Sequence, residues 1–99
     1  MIHLKQNDTG IGVKATLSNE NGNVNLDGAT VLFCMGKHKI TARIEDAANG
    51  LVLVPFTNVH TSETGFFKAE FEVIFSDERI ETFPNNDYLT VNIMKKVIT

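Results

Sequence analysis

Residues 65–75 read GFFKAEFEVIF and give the clearest structural signal in the chain. Apolar side chains occupy every second position, and Lys68, Glu70 and Glu72 lie between them. Successive side chains of an extended strand point to opposite faces, so this alternation predicts a long strand with one buried face. Phe66 and Ile74 are the apolar residues on its otherwise polar face.

The same alternation recurs along the chain, interrupted about every ten residues by turn-forming residues. Asn21-Gly22 and Asn49-Gly50 indicate tight connections, because both residue types tolerate positive φ. Pro55 has no N–H to donate, so the strand before it should end there or lie at a sheet edge. Seven strands are predicted, at residues 11–17, 30–35, 40–44, 51–54, 65–75, 79–83 and 89–93. Ile2 to Lys5 is a candidate eighth strand.

No window shows the apolar stripe of an amphipathic helix, and the connections are too short for the crossovers that join parallel strands. We therefore expect one all-β domain over residues 1–99. The expected fold is an antiparallel immunoglobulin-like β-sandwich of about seven to eight strands, with a small barrel as the main alternative. The predicted core consists of Val13, Leu17, Val31, Phe33, Ile40, Ile44, Leu53, Phe67, Phe71, Val73, Leu89, Val91 and Ile93.

Composition argues against several kinds of partner. The formal net charge is −3 and the only adjacent basic pair is Lys95-Lys96, which disfavours nucleic acid. No apolar run approaches the roughly 20 residues of a membrane helix. The single cysteine, Cys34, cannot form an internal disulfide and fits folding in a reducing cytoplasm. We expect neither a nucleic-acid nor a membrane partner.

The residues that could carry chemistry are scattered. Cys34 lies in an apolar segment, where a thiol is expected to pack as a small hydrophobe. His3, His38 and His60 lie in a terminus, a turn and a loop, without a second His or Cys at metal-ligand spacing. We predict no enzyme activity, no catalytic, cofactor-binding or metal-binding residue, and no cofactor. A calcium site where loops converge is the alternative left open for the five turn aspartates, Asp8, Asp27, Asp46, Asp77 and Asp87.

Five segments, in order over nearly the whole chain, resemble the N-terminal domain of the baseplate upper protein family of phages that infect Gram-positive bacteria. They are QNDTG at 6–10, NLDGATVLF at 25–33, IED at 44–46 with NGLV at 49–52, GFFKAEF at 65–71, and ETFP at 81–84 with LTV at 89–91. A separate resemblance concerns ETGFFKA at 63–69, which is similar to the acidic-x-Gly-x-Tyr-x-Cys strand entry of immunoglobulin domains, with Phe67 for Tyr and Ala69 for Cys.

The first resemblance implies a β-sandwich that anchors a baseplate component to the tail, while a more distal part carries or holds receptor-binding protein. It implies other tail or baseplate proteins as partners. It also implies a location in the tail or baseplate of a phage or prophage particle, with assembly in the bacterial host cytoplasm. The chain departs from the family pattern by ending at Thr99, soon after the last predicted strand. It is therefore expected to be either an excised domain or a short standalone relative.

Two functions from different classes follow. The first is a tail or baseplate structural module for anchoring and assembly, which works by burying an apolar patch or a strand edge. We predict that Phe66 and Ile74 contribute to its partner surface, with coverage by a loop as the alternative, and that edge strands allow a homo-oligomer.

The second is a carbohydrate-binding or adhesin-type β-sandwich. Such modules usually present exposed aromatic platforms beside polar groups that orient the ligand. Trp is absent, Tyr88 is the sole Tyr and most Phe are predicted to face inward, so a small-molecule ligand is disfavoured. Loop-based binding through residues 57–64 is the route left open.

Overall fold

The computed structural model describes residues 1–97, and all the secondary-structure elements in this range are β-strands. No helix that could cross a membrane occurs in that range. The strands are β1 Ile2–Lys5, β2 Gly10–Thr16, β3 Ser18–Asn19, β4 Gly22–Asn23, β5 Thr30–Met35, β6 His38–Thr41, β7 Arg43–Asp46, β8 Leu51–Phe56, β9 Gly65–Ile74, β10 Ile80–Phe83 and β11 Leu89–Met94.

β9 organises the larger of the two main sheets, which we call the large sheet. Its second half pairs with β5 on one side and β10 on the other, and its first half pairs with β11. β6 extends the sheet beyond β5, and β1 extends it beyond β11. The expected alternation along β9 is confirmed, because Ala69, Phe71 and Val73 are buried while Phe66 and Lys68 are exposed.

The second sheet, the small sheet, consists of β2, β8 and β7, and β3 and β4 form a separate short hairpin. The single strand predicted at 40–44 divides between the two main sheets. Ile40 lies in β6, Ile44 lies in β7, and the buried Ala42 between them donates its N–H to the carbonyl oxygen of Val31 at 2.8 Å. The chain thus changes sheets at Ala42 without a loop, which brings both layers around one core.

The order of the strands corrects the expected fold class. β1 pairs with β11 in parallel, from Ile2 beside Val91 to Lys5 beside Met94, so the large sheet is mixed. Short connections force antiparallel pairing only between strands that are neighbours in sequence. β1 and β11 are separated by almost the whole domain, which itself serves as the crossover. The all-β class is confirmed, but the fully antiparallel sandwich is wrong for this pair.

Pro55 lies within β8 rather than after it, since the strand continues to Phe56. Pairing with β7 ends at Leu53, and Pro55 has a ladder partner, Ile11 of β2, on one side only. The expectation that Pro55 would lie at a sheet edge is therefore met locally, because no strand pairs with it on its other side.

The core joins both main sheets in one cluster. Nine of the predicted core residues are buried, and Ile44, Phe67 and Leu89 are half-buried against the cluster. Leu53 is a wrong prediction, because the buried residues of β8 are Val52, Val54 and Phe56. All four residues at 51–54 are apolar, so hydrophobicity could not tell the inner face from the outer one. The buried set is Val13, Leu17, Val24, Leu26, Val31, Phe33, Met35, Ile40, Ala42, Val52, Val54, Phe56, Ala69, Phe71, Val73, Phe83, Val91 and Ile93.

Gly50, directly before β8, holds the β3–β4 hairpin against the small sheet. Its backbone has φ +73°, and its carbonyl accepts a hydrogen bond from the N–H of Leu17 at 2.8 Å. A Cβ at this position would lie 2.6 Å from the Leu17 carbonyl oxygen and 2.9 Å from that of Val24. Glycine is therefore required here both by the backbone conformation and by the close approach of two other segments.

Candidate functional site

Phe66 and Ile74, the two residues predicted to contact a partner, lie on the same face of the large sheet but at opposite ends of β9. Eight residues at about 3.3 Å each place them roughly 26 Å apart. The Phe66 side chain is 68% exposed, whereas Ile74 is half-buried between its register neighbours Thr30 and Ile80. The structure therefore separates them into two spots, of which the one at Phe66 is far more open.

Phe66 borders a groove on the outer face of the large sheet, which we call the Phe66 groove. The groove lies between the turn after β5 and the loop before β11, and its cavity volume is about 480 Å³. Tyr88 closes its far side and is 47% exposed. The side chains that give it chemical character are Cys34, Phe66, Lys68, Glu70, Asp87 and Tyr88.

A cation–π contact orders one wall of the Phe66 groove. The Nζ atom of Lys68 lies 4.8 Å from the centre of the Tyr88 ring, which favours one placement of both side chains. Asp87, next to Tyr88, has φ +81°, a left-handed conformation that Asp adopts more readily than most residues. The loop thus turns sharply to present Tyr88 beside the sheet.

The charge balance in the Phe66 groove is negative. Glu70 and Asp87 contribute two carboxylates against the single ammonium of Lys68. Within residues 1–97, neither carboxylate has an ion-pair partner among the pairs Lys37–Glu63, Arg79–Asp77 and Lys96–Asp8. Two acceptor groups therefore remain available at the groove surface.

The surroundings of Cys34 differ from the apolar packing that was expected for it. Its neighbours Phe33 and Met35 point into the core, but Cys34 is half-buried on the outer face, paired with Glu70 across the ladder. Burial first, and then the carboxylate of Glu72, raises the pKa of its thiol. The thiolate, which is the nucleophilic form, is therefore disfavoured at neutral pH.

The fold brings together two histidines that are distant from each other in the sequence. The ring centroids of His38, in β6, and His60, in the loop before β9, are 5.3 Å apart. His60 Nδ1 accepts a hydrogen bond from the Thr57 N–H at 3.0 Å. Burial and then the neighbouring His38 lower the pKa of His60. In the described range, no three His, Cys, Asp or Glu side chains cluster as metal ligands, and the turn aspartates do not converge into such a group.

The loop at 57–64, considered above for ligand binding, is fastened to the turn between β1 and β2. Thr61 is fully buried and donates its hydroxyl to the Asp8 carbonyl at 2.8 Å. The Asn7 N–H donates to the Thr61 carbonyl at 3.0 Å, and Gln6 Nε2 donates to the Ser62 carbonyl at 2.9 Å. Three hydrogen bonds therefore fasten this segment to the β1–β2 turn, while Val59 within it is exposed.

Comparisons with known proteins give a match of fold. The structure is similar to the N-terminal domain of phage TP901-1 ORF48, with a TM-score of 0.72 and 17% sequence identity. The similarity covers 97% of this chain and 85% of that one. No protein-family model matches the chain. No curated protein sequence matches it either. The chain therefore shares the fold of this phage protein domain at low sequence identity.

Proposed function

We propose that this chain is a structural domain of a phage or prophage tail, acting as a non-enzymatic anchoring and assembly module in the baseplate. The single observation that carries this proposal is the likeness of fold to the phage TP901-1 domain over 97% of the chain. The five segments that resemble baseplate upper proteins point the same way and come from the sequence alone. Other tail and baseplate proteins are its partners.

Such a domain acts through surfaces, and two kinds are present, strand edges and apolar spots. Edge strands of the two main sheets, β6 and β7 among them, offer backbone N–H and C=O groups to an added strand. Ile80 is 63% exposed beside Ile74 and forms an apolar spot at one end of β9. Phe66 forms the second spot at the other end. A partner that covers either spot gains the hydrophobic free energy of burying it.

Two features support a role without catalysis. The candidate nucleophile Cys34 has a raised pKa, and His38 and His60 lie in a different pocket from it. A nucleophile and its base must lie within hydrogen-bond reach of each other to act together. The β scaffold therefore serves for positioning rather than for chemistry.

The decisive experiment places the chain in a particle. In the bacterium that carries the gene, prophage induction or phage infection followed by density-gradient purification should yield tails that contain the chain by mass spectrometry. Antibody against the chain, bound to gold, should label the tail end distant from the capsid. Recovery of the chain only in the particle-free fraction, while known tail proteins sediment with particles, would contradict the proposal.

Self-association is tested separately. Size-exclusion chromatography with light scattering should show a mass above that of one chain at high protein concentration if edge strands pair copies. Ile40→Lys is unsuitable as a test of the β6 edge, because it would unfold the core. Thr41→Pro is the better substitution, since Thr41 is exposed on β6. A strict monomer at every concentration would remove the homo-oligomer from the proposal and leave the other partners in place.

A further inference from the structure

We propose that the Phe66 groove is a binding site for a neutral oligosaccharide. Its lining combines an exposed Phe, an exposed Tyr, two carboxylates and one ammonium within one open depression. Neither the fold likeness nor the proposed assembly role assigns a ligand to this surface, and the inference does not depend on either.

The aromatic side chains supply the first part of the argument. Phe66 is 68% exposed on the middle strand of the large sheet, where its register partner on β11 is the polar Asn92. Tyr88 is 47% exposed across the groove. A pyranose ring has an apolar face of C–H groups, which packs on aromatic rings, whereas its edges carry hydroxyls. The exposed Phe66 ring, together with the face of Tyr88 that Lys68 leaves open, matches this division between apolar faces and polar edges.

The polar side chains supply the second part. Glu70 and Asp87 are unpaired acceptors within the described chain, and sugar hydroxyls are the donors that suit them. Lys68 is held over the Tyr88 ring and can donate to a ring or hydroxyl oxygen without moving far. Because its polar groups come from β9 and from the loop before β11, the groove offers them from two sides of a ligand.

Charge and size define the class of saccharide. Two carboxylates against one ammonium repel acidic sugars and polyphosphate chains, so among saccharides the groove suits neutral ones. The cavity of about 480 Å³ lies in the range of roughly 300–1,000 Å³ typical of small-molecule sites. It opens widely to solvent, so we expect weak binding, with a dissociation constant of about 1 mM for a trisaccharide.

The test is a titration of the isotope-labelled chain followed by ¹H–¹⁵N NMR. The probes are trisaccharides of glucose, galactose and N-acetylglucosamine, each raised to about 10 mM, a range that detects millimolar binding. At least one of them should shift backbone amides at 66–70 and 87–88 in a saturable manner, while amides of the small sheet stay in place.

Variants separate stacking from hydrogen bonding. Phe66→Ala should weaken binding by about 2- to 10-fold through loss of a stacking surface. Glu70→Gln keeps the shape of the groove and should weaken binding by a similar factor, because a charged acceptor is replaced by a neutral one. Ile80→Ala is the matched control, since it removes an exposed apolar side chain from the same sheet face at the other end. Spectra of all variants report whether they fold.

Three outcomes of the titrations with these neutral trisaccharides would overturn the inference. They are the absence of shifts with every probe, shifts confined to another surface, and binding by Phe66→Ala equal to that of the unaltered chain. In parallel titrations with an acidic trisaccharide and with a tail protein, shifts of the groove amides by one of these alone would also refute it. The particle experiment above is unaffected by any of these results, so the two proposals fail independently.

Discussion

Replacement of Phe71 by alanine should remove a large part of the stability of this domain. Phe71 is 1% exposed and lies between Phe33 of β5 and Phe83 of β10 in the ladder. Its ring centroid is 4.9 Å from that of Phe33. A buried phenylalanine removes about 150–250 Å² from water, or about 4–6 kcal/mol at roughly 25 cal/mol per Å². Alanine keeps part of that burial, so we expect a loss of about 3–5 kcal/mol.

The assay is urea unfolding followed by far-ultraviolet circular dichroism, because the chain has no Trp to report by fluorescence. Phe66→Ala provides the control, since it makes the same chemical change in the same strand on the exposed face. It should cost no more than about 0.5 kcal/mol, with an unchanged dependence on urea. If the two variants lose equal stability, or Phe71→Ala loses less than about 1 kcal/mol, the assignment of the inner face of β9 is refuted.

Three further predictions concern single positions, each measured by urea unfolding. Gly50→Ala should destabilise the chain by at least about 2 kcal/mol, because it combines positive φ with a collision against two carbonyl oxygens; Gly22→Ala, with φ +107° and open space, should cost less, and equal losses would contradict the collision. Thr61→Val should cost about 1–2 kcal/mol by removing the donor to the Asp8 carbonyl, and Thr61→Ser should restore most of it. The pKa of His60 is lowered in the folded state, so the folded chain binds its proton less readily than the unfolded chain. The contribution of His60 to stability is therefore present above its ordinary pKa of 6.5 and falls as the pH drops below that value. Between pH 7.5 and 5.5 the free energy of unfolding of a His60→Gln variant should fall less than that of the unaltered chain, and an equal fall in the two would contradict this.

Alternation in the sequence predicted the fold well wherever one side of a strand is polar. In β9, Lys68 and Glu70 mark the outer face unambiguously, and the structure agrees. In β8 no polar residue marks a face, so the choice of Leu53 over Val52 and Val54 had no physical basis in the pattern. Burial on both sides removes the information that register prediction needs.

Pairings between distant segments could not be read from the sequence at all. The parallel alignment of β1 with β11 and the approach of His38 to His60 depend on how the whole chain closes on itself. The same holds for the Phe66 groove. The alternation places Phe66 on the polar face of β9, but Tyr88 lies more than twenty residues further along the chain. Only the pairing of β11 with β9 brings the two into one depression. Local patterns give elements and faces, whereas sites arise from topology.

The parallel pairing of β1 with β11 has a mechanical consequence. The chain enters at the start of β1 and leaves past the end of β11, so a pull on its two ends drags these adjacent strands past each other. Under such shear, the hydrogen bonds from Ile2 to Lys5 resist together, whereas in a peeled antiparallel hairpin they would break one after another. The domain is 45 Å long along its main axis, and the paired strands β1 and β11 are the elements on which a force applied to the two chain ends would act first.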